Sequence, residues 1–123
     1  MPDSLTITKL ETFIVDGGWR NWVFIRIATD AGIDGWGECT LESREQAVAG
    51  AVNDMTRRLI GSDPAQIRGN LHRLARDGYW GSGPVTSSAL GGIDHASPCR
   101  IRILFKSRKK SMDIRKHRIY MLT

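Results

Sequence analysis

The stretch Trp22-Val23-Phe24-Ile25-Arg26-Ile27-Ala28-Thr29-Asp30-Ala31-Gly32-Ile33-Asp34-Gly35-Trp36-Gly37-Glu38-Cys39 decides the fold. Val23, Ile25 and Ile27 alternate with Trp22, Phe24, Arg26 and Ala28, the period of two that a half-buried strand requires. Asp30-Ala31-Gly32 breaks the run as a turn. Residues 33–39 then read as a short third strand, whose glycines permit a bulge or close backbone approach. Upstream, residues 5–15 place Leu5, Ile7, Lys9, Glu11 and Phe13 on one side and Thr6, Thr8, Leu10, Thr12 and Ile14 on the other. The run is rich in β-branched residues and reads as a strand. Asp16-Gly17-Gly18 ends it, so the first two strands pair across a loop holding Trp19, Arg20 and Asn21. The result is a three-stranded antiparallel meander.

After Cys39 the period changes to that of helices. Ser43-x-x-Gln46 has the form of a capping box, in which hydroxyl and amide each satisfy an orphan backbone donor. Ala47, Val48, Ala51, Val52, Met55, Leu59 and Ile60 recur at three- and four-residue spacing, and Gly61 supplies a left-handed stop. Asp63 and Pro64 read as N-cap and first residue of a second helix, carried by Ile67, Leu71 and Leu74 to about Asp77 and Gly78. Residues 84–96 are small and polar, which suits a helix packed closely on another element. The fold class is therefore α+β, a meander followed by a helical subdomain.

Length and composition agree with one soluble domain. The 123 residues are 41% hydrophobic and 25% charged, which excludes collagen-like, disulfide-rich and wholly disordered classes. No apolar run approaches the roughly 20 residues of a membrane span. Residues 1–4 lack the features of a secretory signal, and Cys39 and Cys99 make no disulfide framework, so a reducing cytoplasm is expected. The net charge of +5 is unevenly spread. Residues 1–96 hold nine Lys and Arg against twelve Asp and Glu, a net −3, while residues 97–123 hold nine against one, a net +8. The division at residue 96 separates a domain from a basic tail, which reads as solvated or as an arm seeking polyanions.

Motifs for chemistry mostly fail on inspection. Gly81-Ser82-Gly83 has Thr86 where a dinucleotide fingerprint needs its third glycine, and no strand precedes it. His72, His95 and His117 are too scattered for a zinc motif, as are the two cysteines. Glu42 and Glu45 flank a helix start, where negative charge is stabilised whatever the function; Asp30 and Asp34 form another acid pair.

The quoted residues nevertheless form an ordered set. Ile7-Thr8-Lys9-Leu10-Glu11-Thr12, Val23-Phe24-Ile25-Arg26-Ile27, Gly35-Trp36-Gly37-Glu38, Leu59-Ile60-Gly61-x-Asp63-Pro64, Tyr79-Trp80-x-x-Gly83-Pro84 and Ser88-Ala89-x-x-Gly92-Ile93-Asp94-x-Ala96 follow one another along residues 5–96. In this order they resemble the amino-terminal capping domain of the mandelate racemase/muconate-lactonizing branch of the enolase superfamily, most closely that of acid-sugar dehydratases of the galactonate type. The resemblance implies a two-domain lyase whose (β/α) barrel holds Mg²⁺ and abstracts a proton α to a carboxylate, with loss of water. The cap closes over the substrate. By position, Trp19, Arg20, Asn21 and Trp22 match one closing loop, and Cys39, Thr40, Leu41 and Glu42 match a second, with Tyr79 and Trp80 as an adjoining wall. Arg20 suits a sugar carboxylate, Asn21 and Thr40 suit hydroxyls, and the tryptophans suit a sugar's C–H face. Core packing is the preferred reading of Trp36 and an equal alternative for Trp80.

The resemblance stops at Ala96. Pro98 falls where the family's helix runs on into the barrel, and residues 97–123 read as a frameshifted or unrelated segment. With the TIM barrel missing, no metal is expected to bind this chain, and the fragment is expected to be inactive alone. An apolar patch around Leu41, Tyr79 and Trp80 is expected to favour self-association. Two alternatives stay open. One is a small polyanion- or nucleic-acid-binding protein that uses the tail, for which Phe105 and Tyr120 give thin aromatic support. The other is a complete stand-alone enzyme.

Overall fold

A computed structural model describes residues 5–76 and 81–97. Strands β1 (Ile7–Asp16), β2 (Asn21–Thr29) and β3 (Asp34–Glu38) form one sheet in the order β1-β2-β3, antiparallel throughout. Helix α1 (Glu45–Leu59), a 3-10 turn (Pro64–Gln66), α2 (Ile67–Arg76) and α3 (Pro84–Ala96) follow. This is the expected α+β meander with a helical subdomain.

β2 behaves as its alternation dictates. Val23, Ile25 and Ile27 are fully enclosed, facing Val48, Val52 and Leu59 of α1 and Ala89, Ile93 and Ala96 of α3 in a single core. Burying a side chain of this size contributes roughly 1.5–3 kcal/mol.

β1 departs from its expected faces. Leu5, Ile7 and Leu10 are all buried, although odd and even positions were expected on opposite sides. The cause is a bulge: Ile7 pairs with Thr29, but Lys9 already pairs with Ala28. One extra residue at Thr8 reverses the parity of everything after it. Phe13 thereby reaches the outer face and stacks on Trp36, with ring centroids 5.4 Å apart. Trp36, expected in the core, is 42% exposed there. On the same side Arg26 joins all three strands, donating from Nε to Asp34 at 2.9 Å and from Nη1 to Glu11 at 3.1 Å.

The capping box is also corrected. Ser43 has φ +64°, not the extended backbone from which a hydroxyl caps a helix. Its N–H donates to the Glu45 carboxylate at 3.2 Å, and Arg44 is the N-cap residue, whose side chain caps no helical N–H and donates instead from Nη1 to Ser43 O at 3.2 Å. Ala49 is buried where Ala47 was expected, and Ile60 lies 49% exposed because its extended backbone leaves the helix. Gly61 does provide the left-handed stop, at φ +85°. Its N–H donates to Ile7 O at 2.8 Å, and Ile7 N–H donates to Ser62 O at 2.9 Å, so the end of α1 is tied to the start of β1. Asp63 caps as expected, accepting from Ala65 N–H at 2.8 Å. The turn it caps is 3-10, and α2 proper starts three residues later. The expected end of α2 at Asp77 and Gly78 lies outside the described residues.

Small residues set the seam between α3 and β3. A Cβ on Gly92 would stand 2.5 Å from Cys39 Cβ and 2.8 Å from Ile25 Cδ1, and one on Gly37 would stand 2.8 Å from Ala96 N. Helix and strand approach to a distance that only glycine allows, as the composition of residues 84–96 implied.

Candidate functional site

At the far end of the β1–β2 pair the chain turns tightly. Gly17 N–H donates to Arg20 O at 2.8 Å, Gly18 N–H donates to the Asp16 carboxylate at 2.8 Å, and Gly18 takes φ +89°. A Cβ on Gly17 would lie 2.6 Å from Trp22 Cδ1 and 2.7 Å from Arg20 O. Glycine at this position is what lets Trp22 fold across the turn.

Arg20 is the centre of that arrangement. Its guanidinium carbon lies 5.0 Å from the Trp19 ring centroid and 4.6 Å from that of Trp22. The two rings are nearly perpendicular, at 87° and 6.5 Å. Each cation–π contact contributes about 0.5–1 kcal/mol at a wet site. Nε of Arg20 is enclosed with no hydrogen-bond partner, and no described carboxylate pairs with this guanidinium. Trp19 is 74% exposed, the most open large apolar side chain described.

The second expected segment is brought to the same end of the sheet. Cys39 N–H donates to Val23 O at 2.9 Å, and Val23 N–H donates to Thr40 Oγ1 at 3.0 Å. The threonine hydroxyl stands in for a backbone acceptor and extends the β2–β3 pairing by one step. Arg44 N–H donates to Leu41 O at 3.0 Å, closing the turn into α1. Leu41 is half-buried against the core, while Glu42 and Asn21 are exposed.

Cys39 differs from its neighbours. Its side chain is buried against Gly92, and burial, together with the charge of Glu38, pushes its thiol up to about 12. It anchors the segment from within. Tyr79 and Trp80 lie outside the described residues, so the adjoining wall has no structural account. His72 and His95 are exposed and far apart in sequence. Among the described residues no three His, Cys, Asp or Glu side chains gather in a way that could hold a metal ion, and no helix is long and apolar enough to cross a membrane.

Sequence reasoning picked out residues 19–22 but missed Gly17 and the double tryptophan contact. The signal was present as a glycine pair followed by two tryptophans bracketing an arginine; what it lacked was the turn closure that folds them together.

Comparison with known proteins gives this geometry a context. The family described as mandelate racemase/muconate lactonizing enzyme, N-terminal domain, matches residues 11–97. A D-galactonate dehydratase from Pectobacterium atrosepticum is 41% identical over 92 residues, and another from Klebsiella pneumoniae is 42% identical over 95. Each match covers 75% of this chain and 23% of the relative, so the chain spans about a quarter of the length of the curated relatives it matches. Among solved structures, an enolase from Pantoea ananatis with bound D-gluconate and magnesium superposes with a TM-score of 0.70 at 38% identity, covering 75% of this chain and 23% of that one. A member of the enolase superfamily from Salmonella Typhimurium gives 0.71 at 29%, covering 75% and 25%.

Proposed function

The chain belongs to the mandelate racemase/muconate lactonizing enzyme N-terminal domain family, and from that premise we propose that residues 5–96 serve as the substrate cap of an acid-sugar dehydratase of the galactonate type. The observation that carries the reading is the meeting of two segments at one end of the sheet. Residues 19–22 and 39–42 arise from different connections, yet the bonds of Val23 to Cys39 and Thr40 hold them side by side. Such a pair of loops covers a substrate, excludes water and selects by shape.

In this reaction class Mg²⁺ stabilises the charge that develops on the substrate carboxylate as the α-proton leaves. The described residues offer no ligand set for that ion, so no metal step is assigned to them. Their part is to bind and to orient. Arg20 supplies a cation without an acidic partner among the described residues, Asn21 and Thr40 supply polar groups, and Trp19 and Trp22 supply apolar rings. Tyr79 and Trp80 belong to the same reading as an adjoining wall. Cys39 contributes by packing, which fixes the backbone that carries Thr40, Leu41 and Glu42.

The reading extends to the whole chain: residues 97–123 form a basic tail outside the cap, the protein works in the cytoplasm, and the chain by itself turns over no acid sugar. The test is complementation. A D-galactonate dehydratase lacking its own matching quarter is mixed with this chain and assayed for Mg²⁺-dependent loss of water from galactonate. Turnover in the mixture, with none from either part, is expected. Turnover by this chain alone, or an inert mixture of two folded parts, would contradict the proposal.

A further inference from the structure

We infer that the outer edge of β1 is a docking surface for a second copy of this chain, which pairs its own β1 antiparallel to it about a two-fold axis at Phe13 and makes one six-stranded sheet from two. This surface is independent of the cap reading, since it uses the edge of the sheet and neither of the segments 19–22 and 39–42.

The bonding of β2 fixes which backbone groups of β1 are spare. Val23 donates to Thr40 Oγ1 and accepts from Cys39 N–H, so it bonds toward β3. Bonding direction alternates along a strand, which turns Trp22, Phe24 and Arg26 toward β1, onto Val15, Phe13 and Glu11. The N–H and C=O of Leu10, Thr12, Ile14 and Asp16 therefore point to the outer edge, and β1 is the end strand of the sheet. Sheets guard such an edge with lysine, a bulge or a covering segment. β1 has all three, but only in its first half: Lys9, the bulge at Thr8, and Gly61 and Ser62, which take up both backbone groups of Ile7. From Leu10 to Asp16 there is no lysine, proline or bulge, and Ile14 and Val15 are 38% and 44% exposed. The Phe13 ring leans across β2 onto Trp36 and leaves its own edge clear.

The same guards choose the register and the occupant. An antiparallel strand must set outward residues against outward residues. A register centred on Leu10 or Glu11 runs the partner strand into Gly61 and Ser62, and the second also opposes Glu11 to Glu11. One centred on Thr12 carries the partner's Asp16 onto the Thr8 bulge. One centred on Phe13 is the longest that clears both: Thr12 faces Ile14, Leu10 faces Asp16 and Glu11 faces Val15, with no like charges opposed. A two-fold interface requires this self-complementarity, and it commits the edge to the chain's own strand.

Sedimentation equilibrium of the full 123-residue chain, at high salt to screen its basic tail, tests this without any variant. A reversible monomer–dimer equilibrium with no larger species is expected, because a two-fold pairing uses the edge up. Ile14→Lys, at a side chain already 38% exposed, should weaken the dimer at least about tenfold while the diluted chain unfolds at an unchanged temperature. Cysteine placement reads the register in a Cys99→Ser chain oxidised with glutathione disulfide. Phe13→Cys should link two copies, because residues opposed between hydrogen-bonded pairs stand about 4.5 Å apart at Cα, within disulfide reach. Val15→Cys, opposite Glu11, should stay unlinked. A chain that is monomeric at every concentration, a dimer that Ile14→Lys leaves intact, or linkage at Val15→Cys as fast as at Phe13→Cys would each overturn the inference. The complementation assay decides the cap reading separately.

Discussion

β1 and β2 carry one pair of strands through two environments. At one end Ile7, Leu10, Ile25 and Ile27 are sealed under α1 and α3; at the other, Phe13, Ile14, Val15 and Trp19 are all more than a third exposed. The first end is stabilised by apolar burial, and its glycines permit close packing. The second is stabilised by a turn and two cation–π contacts, and its glycines permit a tryptophan to fold over an arginine. A binding site set on a loop at the end of a rigid sheet keeps its position without spending core contacts on itself. The contrast predicts that substitutions at the two ends have separable effects, on stability at one and on ligand at the other.

The largest effect should come from Ile25→Ala, at the centre of the sealed end. Removing a fully enclosed isoleucine side chain should cost about 3–4 kcal/mol in a denaturant titration. Gly92→Ala comes next, at about 2 kcal/mol, because its methyl would meet Cys39 and Ile25 and force the helix off the strand. Gly50→Ala on α1 meets nothing within 4 Å and should instead raise stability by about 0.5–1 kcal/mol. That pair shows whether the seam, rather than glycine in general, sets the cost. At the open end Arg20→Met should change stability by no more than about 1 kcal/mol. Global unfolding by Arg20→Met would break the contrast.

How much of this was legible depends on where each residue gets its instruction. β2 was readable because its own alternation is uninterrupted from Asn21 to Thr29. β1 was not, because the bulge at Thr8 is a register event decided by the partner strand, and sequence alternation carries no mark of it. Ser43 has the right spacing for a capping box but the wrong backbone, since the turn closed by Arg44 N–H on Leu41 O precedes the helix and sets its φ. Core packing was the preferred reading of Trp36, yet β3 directs it outward onto Phe13. Residues 19–22 and 39–42 were singled out through family likeness. The bonding of Val23 to Cys39 and Thr40 that brings the two segments to one end of the sheet was not readable, because it depends on the Thr40 hydroxyl replacing a backbone acceptor.

Two titrations sharpen the contrast further. Burial holds the Cys39 thiol at about 12 against an ordinary 9.0, so the folded chain keeps a proton that the unfolded chain loses. Stability should therefore fall as pH rises past 9. In a Cys99→Ser chain, Cys39 should resist a thiol reagent at pH 8 until denaturant is added; rapid labelling of the folded chain would show that the seam opens. The smallest effect belongs to Glu11, whose carboxyl is held below its ordinary 4.5 chiefly by the hydrogen bond from Lys9, with Arg26 adding to it. Its contribution is complete above 4.5 and is lost as the pH falls through the lowered value, so Glu11→Gln should slightly flatten the acid limb of the unfolding curve.

The central claim is tested most directly by a chimera, in which residues 5–96 replace the matching quarter of a D-galactonate dehydratase and Mg²⁺-dependent loss of water from galactonate is followed. The account predicts turnover, with KM raised at least about tenfold by Arg20→Met. A folded chimera that binds Mg²⁺ yet turns over no acid sugar would contradict it.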